Sequence, residues 1–250
     1  MNDAVGLVLA AGKGTRMHSD LAKVLHPICG QPMLFYPLAV LKELGLARVL
    51  VVVGYQAERI QELFATAGVE WVVQVEQQGT AHAVNCALPH LAGSDRPVLI
   101  CCGDTPLVTA KTLGAFLGSH LSAAVDLSIL SAVLEQPAQY GRILRDCRQQ
   151  VVAIVEAVDA REEELDIREV NTGIYCASVE MLRAVVPLID NGNVQGEYYL
   201  TDMVQRAVEQ GWRVQAVVAS NFQEFLGVNT REELAAATEV ISKRSRSASR

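Results

Sequence analysis

The chain has 250 residues, of which half are hydrophobic and a fifth are charged, enough for one large α/β domain with a well-buried sheet. The formal net charge of −7 argues against a nucleic-acid partner, so local cations must do any phosphate binding. The six cysteines form no C-x-x-C pair and have no zinc-like spacing with the five histidines, which favours reduced thiols in a cytoplasmic protein. The first residues have no basic segment and no apolar run approaches the length of a membrane span, so we expect neither secretion nor a membrane partner.

Apolar runs alternate with helical patterns in the first part of the chain. The runs predict strands at 5–11, 48–54, 69–75 and 97–102, and the patterns between them predict helices at 32–45, 56–66 and 80–91. Residues 49–53 are apolar on both faces, which is typical of a parallel strand covered by helices on both sides. This alternation predicts an α/β fold with a Rossmann-like, doubly wound and mostly parallel sheet.

The first predicted strand leads into a turn that we call the glycine loop, residues 9–16, with the sequence Leu-Ala-Ala-Gly-Lys-Gly-Thr-Arg. Glycine lets a ligand approach bare backbone N–H groups, and Lys13 and Arg16 add positive charge, so the loop suits a polyphosphate. Its spacing fits neither the Walker loop nor the dinucleotide fingerprint. An ordinary glycine-containing turn is the alternative for the loop taken alone.

The second half of the chain has a different pattern. Residues 123–135, 141–146, 151–157 and 169–177 predict strands with few helices between them, which would extend the sheet or cover one edge. A helical pattern begins at Arg231, and the basic, serine-rich residues 243–250 that follow predict a disordered tail.

A series of short motifs follows the glycine loop in a fixed order. The triplet Lys23-Val24-Leu25 comes first, and the others lie at residues 76–83, 103–107, 140–143, 154–156, 169–173, 196–202 and 227–229. With the glycine loop, they resemble the signature of the sugar-1-phosphate nucleotidyltransferases. Over roughly residues 5–235, the series is similar to the uridylyltransferase half of bacterial bifunctional enzymes that also carry a glucosamine-1-phosphate acetyltransferase half.

The resemblance implies a nucleotide-diphospho-sugar transferase fold and a domain organisation. Residues 1–228 would form the nucleotidyltransferase domain, with a β-rich sugar-binding extension, and residues 229–250 a linker helix with the disordered tail. The hexapeptide repeat of the family's acetyltransferase half is expected to be absent from this chain, and without that half we expect a monomer or a weak dimer.

The implied reaction joins UTP and N-acetylglucosamine-1-phosphate into UDP-N-acetylglucosamine and pyrophosphate, for cell-wall precursor synthesis. The nucleophile is already an anion, so positioning and charge stabilisation by Mg²⁺ and cationic side chains should supply most of the catalysis. The resemblance gives Lys23 to the α-phosphate, Arg16 to the departing pyrophosphate, and Asp104 and Asn229 to Mg²⁺. Nucleotide contacts would come from Leu9, Ala10, Ala11, Gly12, Lys23, Gln74, Gly79, Thr80, Gly103 and Asp104, and sugar contacts from Gly141, Glu156, Asn171, Tyr199 and Thr201.

Plainer interpretations of these residues stay open at this level. Asp104 suits a turn, Asn229 and Thr80 suit helix N-caps, Glu156 suits a solvated carboxylate, and Tyr199 suits packing. Two wider alternatives also remain, namely the same chemistry on another sugar-1-phosphate and a nucleotide-binding protein without turnover.

The chain departs from the family pattern at three positions. Cys102 stands where tyrosine is usual, Ala22 replaces a proline, and Val158 lies where a lysine often follows the sugar-site glutamate. None of these changes removes a proposed ligand, and the last leaves the choice of sugar the least determined.

Overall fold

One large sheet with helices on both faces forms the fold in a computed structural model, which describes residues 4–248. The strands in chain order are β1 (Val5–Ala10), β2 (Pro27–Ile28), β3 (Gln31–Pro32), β4 (Arg48–Val53), β5 (Glu70–Val73), β6 (Val98–Cys102), β7 (Leu127–Val133), β8 (Arg142–Arg145), β9 (Val151–Val155), β10 (Glu169–Ala177) and β11 (Val214–Val218). The helices are α1 (Phe35–Glu43), α2 (Ala57–Leu63), α3 (Thr80–Ala87), α4 (Ala110–Ala123), α5 (Glu162–Leu165), α6 (Val179–Val185), α7 (Asp202–Glu209) and α8 (Arg231–Ala248).

The order of the strands places a switch point beside β1. The main path of the sheet runs β5-β4-β1-β6-β10-β7-β11, with β8 joined to β10 and β9 to β8, while β2 and β3 form a separate small ribbon. β1 is parallel to both neighbours, and Leu9 lies opposite Val52 of β4 and Cys102 of β6. Chain connections leave β1 in opposite directions on its two sides, which opens a crevice at the carboxyl ends of the strands.

Buried apolar residues cover both faces of the sheet. Alternate residues of β1 point to opposite faces, so Leu7 belongs to one core cluster and Val8 to the other. Val84 of α3 packs in the first cluster and Leu113 of α4 in the second. The predicted doubly wound, mostly parallel sheet is therefore confirmed. β10 is the exception within the main path, because it runs antiparallel to both β6 and β7.

The element boundaries differ from the prediction mainly where a helix was not expected. The region predicted as a strand at 123–135 contains the end of α4, and β7 begins only at Leu127. Thr109 caps the start of α4 by accepting a hydrogen bond from the Thr112 amide, and Ala124 ends the helix in the left-handed conformation. The predicted helix at 80–91 divides into α3 and a 3-10 turn at Leu88–Leu91, in which Pro89 prevents a continuous α-helix.

The C-terminal part is more ordered than the sequence suggested. The disordered tail was predicted from residue 243, but α8 continues to Ala248, and residues 249–250 lie outside the described part of the chain. Ile241 of α8 is buried against Leu107 and Ile28, Glu239 pairs with Lys243 at 2.6 Å, and Arg244 donates to the Leu107 carbonyl. These contacts supply the anchoring that a basic, serine-rich stretch lacks by itself.

Two further expectations bear on the setting of the fold. All six cysteines are free, as expected for reduced thiols. In the part of the chain that the structure covers, no helix has both the length and the apolar character to span a bilayer.

Candidate active site

A cleft of about 490 Å³ opens at the carboxyl ends of β1 and β6, beside the switch point. The glycine loop forms one wall of the cleft, and further lining residues come from the ends of β5 and β6, from the start of α3 and from the segments that carry Lys23, Glu197 and Asn229. Eleven of the predicted catalytic, nucleotide and metal residues line it, namely Leu9, Ala10, Ala11, Gly12, Arg16, Lys23, Gln74, Gly79, Thr80, Asp104 and Asn229. Residues that are distant in sequence are thus brought to one place by the sheet topology.

Gly14 lets the glycine loop pack directly against Lys23. Its backbone is left-handed, with φ of 74°, and a Cβ at this position would lie 2.6 Å from the Lys23 Cβ. Any larger residue would push the loop away from the lysine, so we infer that the glycine keeps Lys23 directed into the cleft.

Four polar side chains converge at the centre of the cleft. The Lys23 ammonium contacts the Asp104 carboxylate and lies 3.1 Å from Asn229 Oδ1, and the Arg16 guanidinium donates to the same oxygen at 3.0 Å. A carboxylate and an amide oxygen therefore both reach a single cation.

These two oxygens are hard donors of the kind that Mg²⁺ takes from a protein when phosphates supply the other ligands. Among residues 4–248, no group of three or more His, Cys, Asp or Glu side chains is arranged to hold a metal. A site built from Asp104 and Asn229 would therefore need oxygens from the substrates, and the residues present fit a magnesium–nucleotide rather than a metal held by the protein alone.

Asp104 and Asn229 are held together by the backbone before α8. The Val228 amide donates to the Asp104 carbonyl at 2.9 Å. The Thr230 hydroxyl accepts from the Glu233 amide, and the Glu233 carboxylate accepts from the amides of Thr230 and Asn229 at 3.0 and 2.6 Å. Thr230 and Glu233 thus form a capping box, so Asn229 does not serve as the cap and its side chain is free to reach into the cleft.

Arg231 ties α8 to the segment that follows the glycine loop, a role that the sequence analysis missed. Its guanidinium donates to the carbonyls of Met17 and His18 at 3.1 and 2.8 Å. His18 has a left-handed backbone, with φ of 47°. The Thr230–Glu233 spacing signals the start of a helix, but no sequence signal shows which carbonyls an arginine there will reach. Gln77 and Glu197 also line the cleft and were not predicted.

The far end of the cleft is formed by Gln74, Gly79 and Thr80. Gln74 is buried, and its amide nitrogen donates to the Gly79 carbonyl at 3.0 Å. Gly79 has φ of 121°, and a Cβ there would lie 2.5 Å from the Tyr198 carbonyl oxygen, so only glycine fits this contact. Thr80 does not cap α3, because its hydroxyl accepts from the Leu200 amide at 2.9 Å. This end of the cleft is therefore joined to the segment that carries Tyr199 and Thr201.

Glu156 and Tyr199 line a second cavity of about 360 Å³. Glu156 accepts from the Thr201 hydroxyl at 3.1 Å, and burial, with the charges of Asp202 and Asp159 beside it, raises the pKa of this carboxyl. The Tyr199 hydroxyl is buried and finds no hydrogen-bond partner among the described residues, and burial raises its pKa to about 12. Neither group has the solvated surroundings of an ordinary surface residue.

The other three predicted sugar residues are connected to this cavity without lining it. The Thr201 hydroxyl donates to the Glu156 carboxylate, and the Asn171 backbone amide donates to the Gly141 carbonyl at 2.9 Å. Asn171 lies at an irregularity in β10, where its side-chain oxygen accepts from the Gly173 amide at 3.1 Å. The structure therefore does not place the five predicted sugar residues in a single pocket.

Gly103 and Cys102 lie where the cleft meets β10. Gly103 does not line the cleft, and a Cβ at this position would lie 3.1 Å from the side chains of both Ala10 and Val24. Cys102 does line it, with its sulfur 3.9 Å from the Gly173 carbonyl, and burial raises the pKa of this thiol. Cys102, which the sequence analysis identified as a departure from the expected pattern, thus lies between the cleft and the β10 irregularity.

Comparison with known proteins places this site in a family. Residues 6–168 match the family described as the MobA-like NTP transferase domain. The bifunctional protein GlmU of Trichlorobacter lovleyi is 47% identical over 242 residues, which are 96% of this chain and 53% of that protein. Proteins of the same name from Pelobacter propionicus and Bacillus mycoides are 45% and 46% identical, over 98% and 97% of this chain and 53% and 52% of their own lengths.

The chain spans about half the length of these curated relatives. The family match covers well over half of the chain and contains the glycine loop, Lys23 and Asp104. The chain belongs to the family of MobA-like NTP transferase domains.

Proposed function

We propose that the protein transfers the uridylyl group of UTP to N-acetylglucosamine-1-phosphate, giving UDP-N-acetylglucosamine and pyrophosphate. The observation that carries the proposal is the convergence of Arg16, Lys23, Asp104 and Asn229 beside the glycine loop. Similarity to proteins named bifunctional protein GlmU supports the same reaction. The product would serve as a precursor for peptidoglycan and lipopolysaccharide synthesis in the cytoplasm.

The charged side chains of the cleft would have separate roles in this reaction. An oxygen of the sugar phosphate attacks the α-phosphorus of UTP, and pyrophosphate leaves from the opposite side. Lys23 would hold the α-phosphate, and Arg16 would stabilise the charge that builds on the pyrophosphate. Because the attacking oxygen is already an anion, no side chain needs to remove a proton.

Mg²⁺ that arrives with the nucleotide would be held by Asp104 and Asn229. When bound, the ion would neutralise charge on the reacting phosphates. Lys23 contacts both of these side-chain oxygens in the structure, and in the complex its ammonium would instead contact the nucleotide phosphates. The Asp104 carboxylate would then face a cation both with and without the nucleotide.

The sugar would lie toward Glu156, Asn171, Tyr199 and Thr201, with Gly141 behind the glutamate. The Glu156 carboxylate can accept from sugar hydroxyls, and the buried Tyr199 hydroxyl needs a partner that a sugar can supply. Base and sugar would thus occupy opposite ends of one path over the domain formed by residues 1–228.

Two alternatives make different predictions for one experiment. Purified protein is mixed with Mg²⁺, one nucleoside triphosphate and one sugar-1-phosphate, and pyrophosphate release is measured across a panel of both. We expect the highest kcat/KM with UTP and N-acetylglucosamine-1-phosphate. Faster release with glucose-1-phosphate would support the same chemistry on another sugar. Tight UTP binding without pyrophosphate release under any pairing would support a binding protein and overturn the proposal.

A further inference from the structure

The Gln74 side chain has a fixed orientation in the cleft. Its amide nitrogen lies 3.0 Å from the Gly79 carbonyl oxygen and 3.1 Å from His82 Nδ1. A glutamine amide nitrogen has two N–H donors, so both are used by these two acceptors. Gln74 is 2% exposed and lines the cleft, so its Oε1 is the polar atom left to meet a ligand.

His82 can accept from Gln74 only in one protonation state. A neutral imidazole has one N–H and one acceptor nitrogen, so acceptance at Nδ1 requires the proton on Nε2. Cys86 lies one turn further along α3, and its sulfur is 3.8 Å from His82 Nε2, where it can accept that proton's hydrogen bond. In the hydrogen-bonded series from Cys86 through His82 to Gln74, each donor therefore has an acceptor.

Reversal of the Gln74 amide is disfavoured by Gly79 in every case and by His82 when Nε2 carries the proton. The reversed amide would place Oε1 against the Gly79 carbonyl oxygen, and in that tautomer also against the His82 Nδ1 lone pair. Gly79 is itself fixed by its close contact with Tyr198. Of the two acceptors, His82 is the one that a substitution can remove without changing the backbone.

We propose that His82 is a positioning residue that holds the Gln74 amide oxygen toward the nucleotide base and so makes the site select uracil over cytosine. The inference rests on the proposed uridylyl transfer. Uracil carries a proton on N3, which Oε1 can accept, whereas the cytosine N3 carries a lone pair that Oε1 would repel. His82 acts only through Gln74.

Two variants separate this role from a merely structural one. His82→Asn keeps an acceptor, because the Asn side-chain oxygen takes the place of Nδ1, whereas His82→Leu keeps the bulk and removes the acceptor. The measurement is the ratio of kcat/KM for UTP to that for CTP, with N-acetylglucosamine-1-phosphate held constant. We expect His82→Leu to lower the ratio by about tenfold, the effect of leaving one buried N–H without a partner. We expect His82→Asn to stay within about twofold of the parent.

Equal ratios in the parent and His82→Leu would overturn the proposal, as would an equal loss in both variants. Thermal melts of both variants show whether a change in the ratio accompanies unfolding.

A readout that needs no turnover keeps the inference separate from the proposed function. ¹⁵N NMR of the unliganded parent reports which nitrogen of His82 carries the proton, and we expect Nε2. A proton on Nδ1 would overturn the inference even in an active enzyme. Conversely, a parent that has the Nε2 proton but turns over no sugar-1-phosphate contradicts the proposed function alone, and the ratio of UTP to CTP dissociation constants in the parent and His82→Leu then decides whether His82 sets base selection.

Discussion

At the scale of single residues, the cationic side chains at the centre of the cleft contact the same side-chain oxygens. Asn229 Oδ1 accepts from both Arg16 and Lys23, and Lys23 also contacts Asp104. Lys13, Arg16 and Lys23 line the cleft together with two carboxylates, Asp104 and Glu197, which leaves a local excess of positive charge in a chain whose net charge is −7. Such an excess attracts a polyphosphate that the rest of the surface would repel.

The first prediction concerns the proposed metal ligands. Asp104→Asn keeps the shape of the side chain but removes the charge that would hold Mg²⁺, so we expect turnover to fall by about a hundredfold or more, equivalent to about 3 kcal/mol of lost transition-state stabilisation. Asn229→Ala should reduce turnover less, because it removes a neutral oxygen. Turnover against Mg²⁺ concentration, with a thermal melt alongside, is the measurement.

Asp126→Asn is the matched control for Asp104→Asn. Asp126 pairs with Arg213 at 3.2 Å and precedes β7, at the opposite end of the sheet from the cleft. The Asp126→Asn variant also removes one negative charge from an ion pair, and we expect its turnover to be normal. If Asp104→Asn turns over like the parent, or loses activity only by unfolding, the assignment of Asp104 to the metal is wrong.

Sequence motifs predicted which residues would meet in the cleft better than how each is held there. Asp104 and Asn229 lie far apart in the chain, and the motif order alone brought them into one prediction. That Thr230 rather than Asn229 caps α8 depends on the position of Glu233, and the narrow space at Gly103 depends on the side chain of Ala10. Such details follow from tertiary packing, which a linear pattern does not encode.

At the scale of elements, the start of α8 and the glycine loop act as one unit. Asn229 reaches Arg16 of the loop, and two residues later Arg231 holds the carbonyls of Met17 and His18. Beyond Ala10, where β1 ends, the loop has no strand or α-helix of its own, only a single 3-10 turn at Thr15–Met17. The start of α8 is therefore one of the elements that hold the loop in position.

The second prediction tests this dependence. Arg231→Met removes both hydrogen bonds to the segment that follows the loop but keeps most of the apolar bulk, so we expect KM for UTP to rise by about tenfold, the effect of losing one or two hydrogen bonds that position a charged loop. Arg244→Met is the control, because Arg244 also donates from α8 to a backbone carbonyl, that of Leu107, but does not touch the loop.

We expect Arg244→Met to lower the melting temperature without changing KM. Steady-state kinetics and melts of the two variants decide the matter. If the KM for UTP is similar in Arg231→Met and Arg244→Met, α8 supports the loop only through its contribution to overall stability.

Prediction of the elements was most successful where the apolar pattern was strong. The four strands predicted before residue 103 all form. β1, β4 and β6 are runs of mostly buried residues, whereas the edge strand β5 buries only Val72. α4 was not predicted, and its glycines at 114 and 118 weaken the helical pattern, although Phe116 and Leu117 bury one face. The direction of β10 could not be predicted, because an apolar strand reads the same whether its neighbours are parallel or antiparallel.

At the scale of the whole molecule, the cleft and the second cavity are linked through one pair of backbone segments. The Tyr198 amide donates to the Gln78 carbonyl at 2.8 Å, and the Ala81 amide donates to the Tyr198 carbonyl at 2.9 Å. The turn that would hold the base is thus attached to the segment that would hold the sugar. Movement of either segment is transmitted to the other, which suits a reaction that needs two substrates aligned.

The same region holds a carboxyl whose ionisation should cost stability at neutral pH. Asp202, the first residue of α7, shares the second cavity with Asp190 and Asp159. Burial first, and then repulsion from these two carboxylates, raises the pKa of Asp202 from 3.8 to about 6, although Arg206 opposes the shift. A carboxyl with a raised pKa in the folded protein stabilises the fold below about pH 4, and that stability is lost as the pH rises to about 6.

The third prediction follows from this loss of stability as the pH rises. Asp202→Asn resembles the protonated carboxyl, so we expect the variant to be more stable than the parent at pH 7.5, by at most about 3 kcal/mol, and little different at pH 4. Loss of a negative charge at the start of α7 would reduce the gain by about 0.5 kcal/mol. Glu209→Gln on the same helix is the control, because Glu209 is exposed and its pair with Arg206 should contribute little at either pH. Urea unfolding at the two pH values measures the difference, and a gain that is equal at both would show that the ionisation of Asp202 is not its cause.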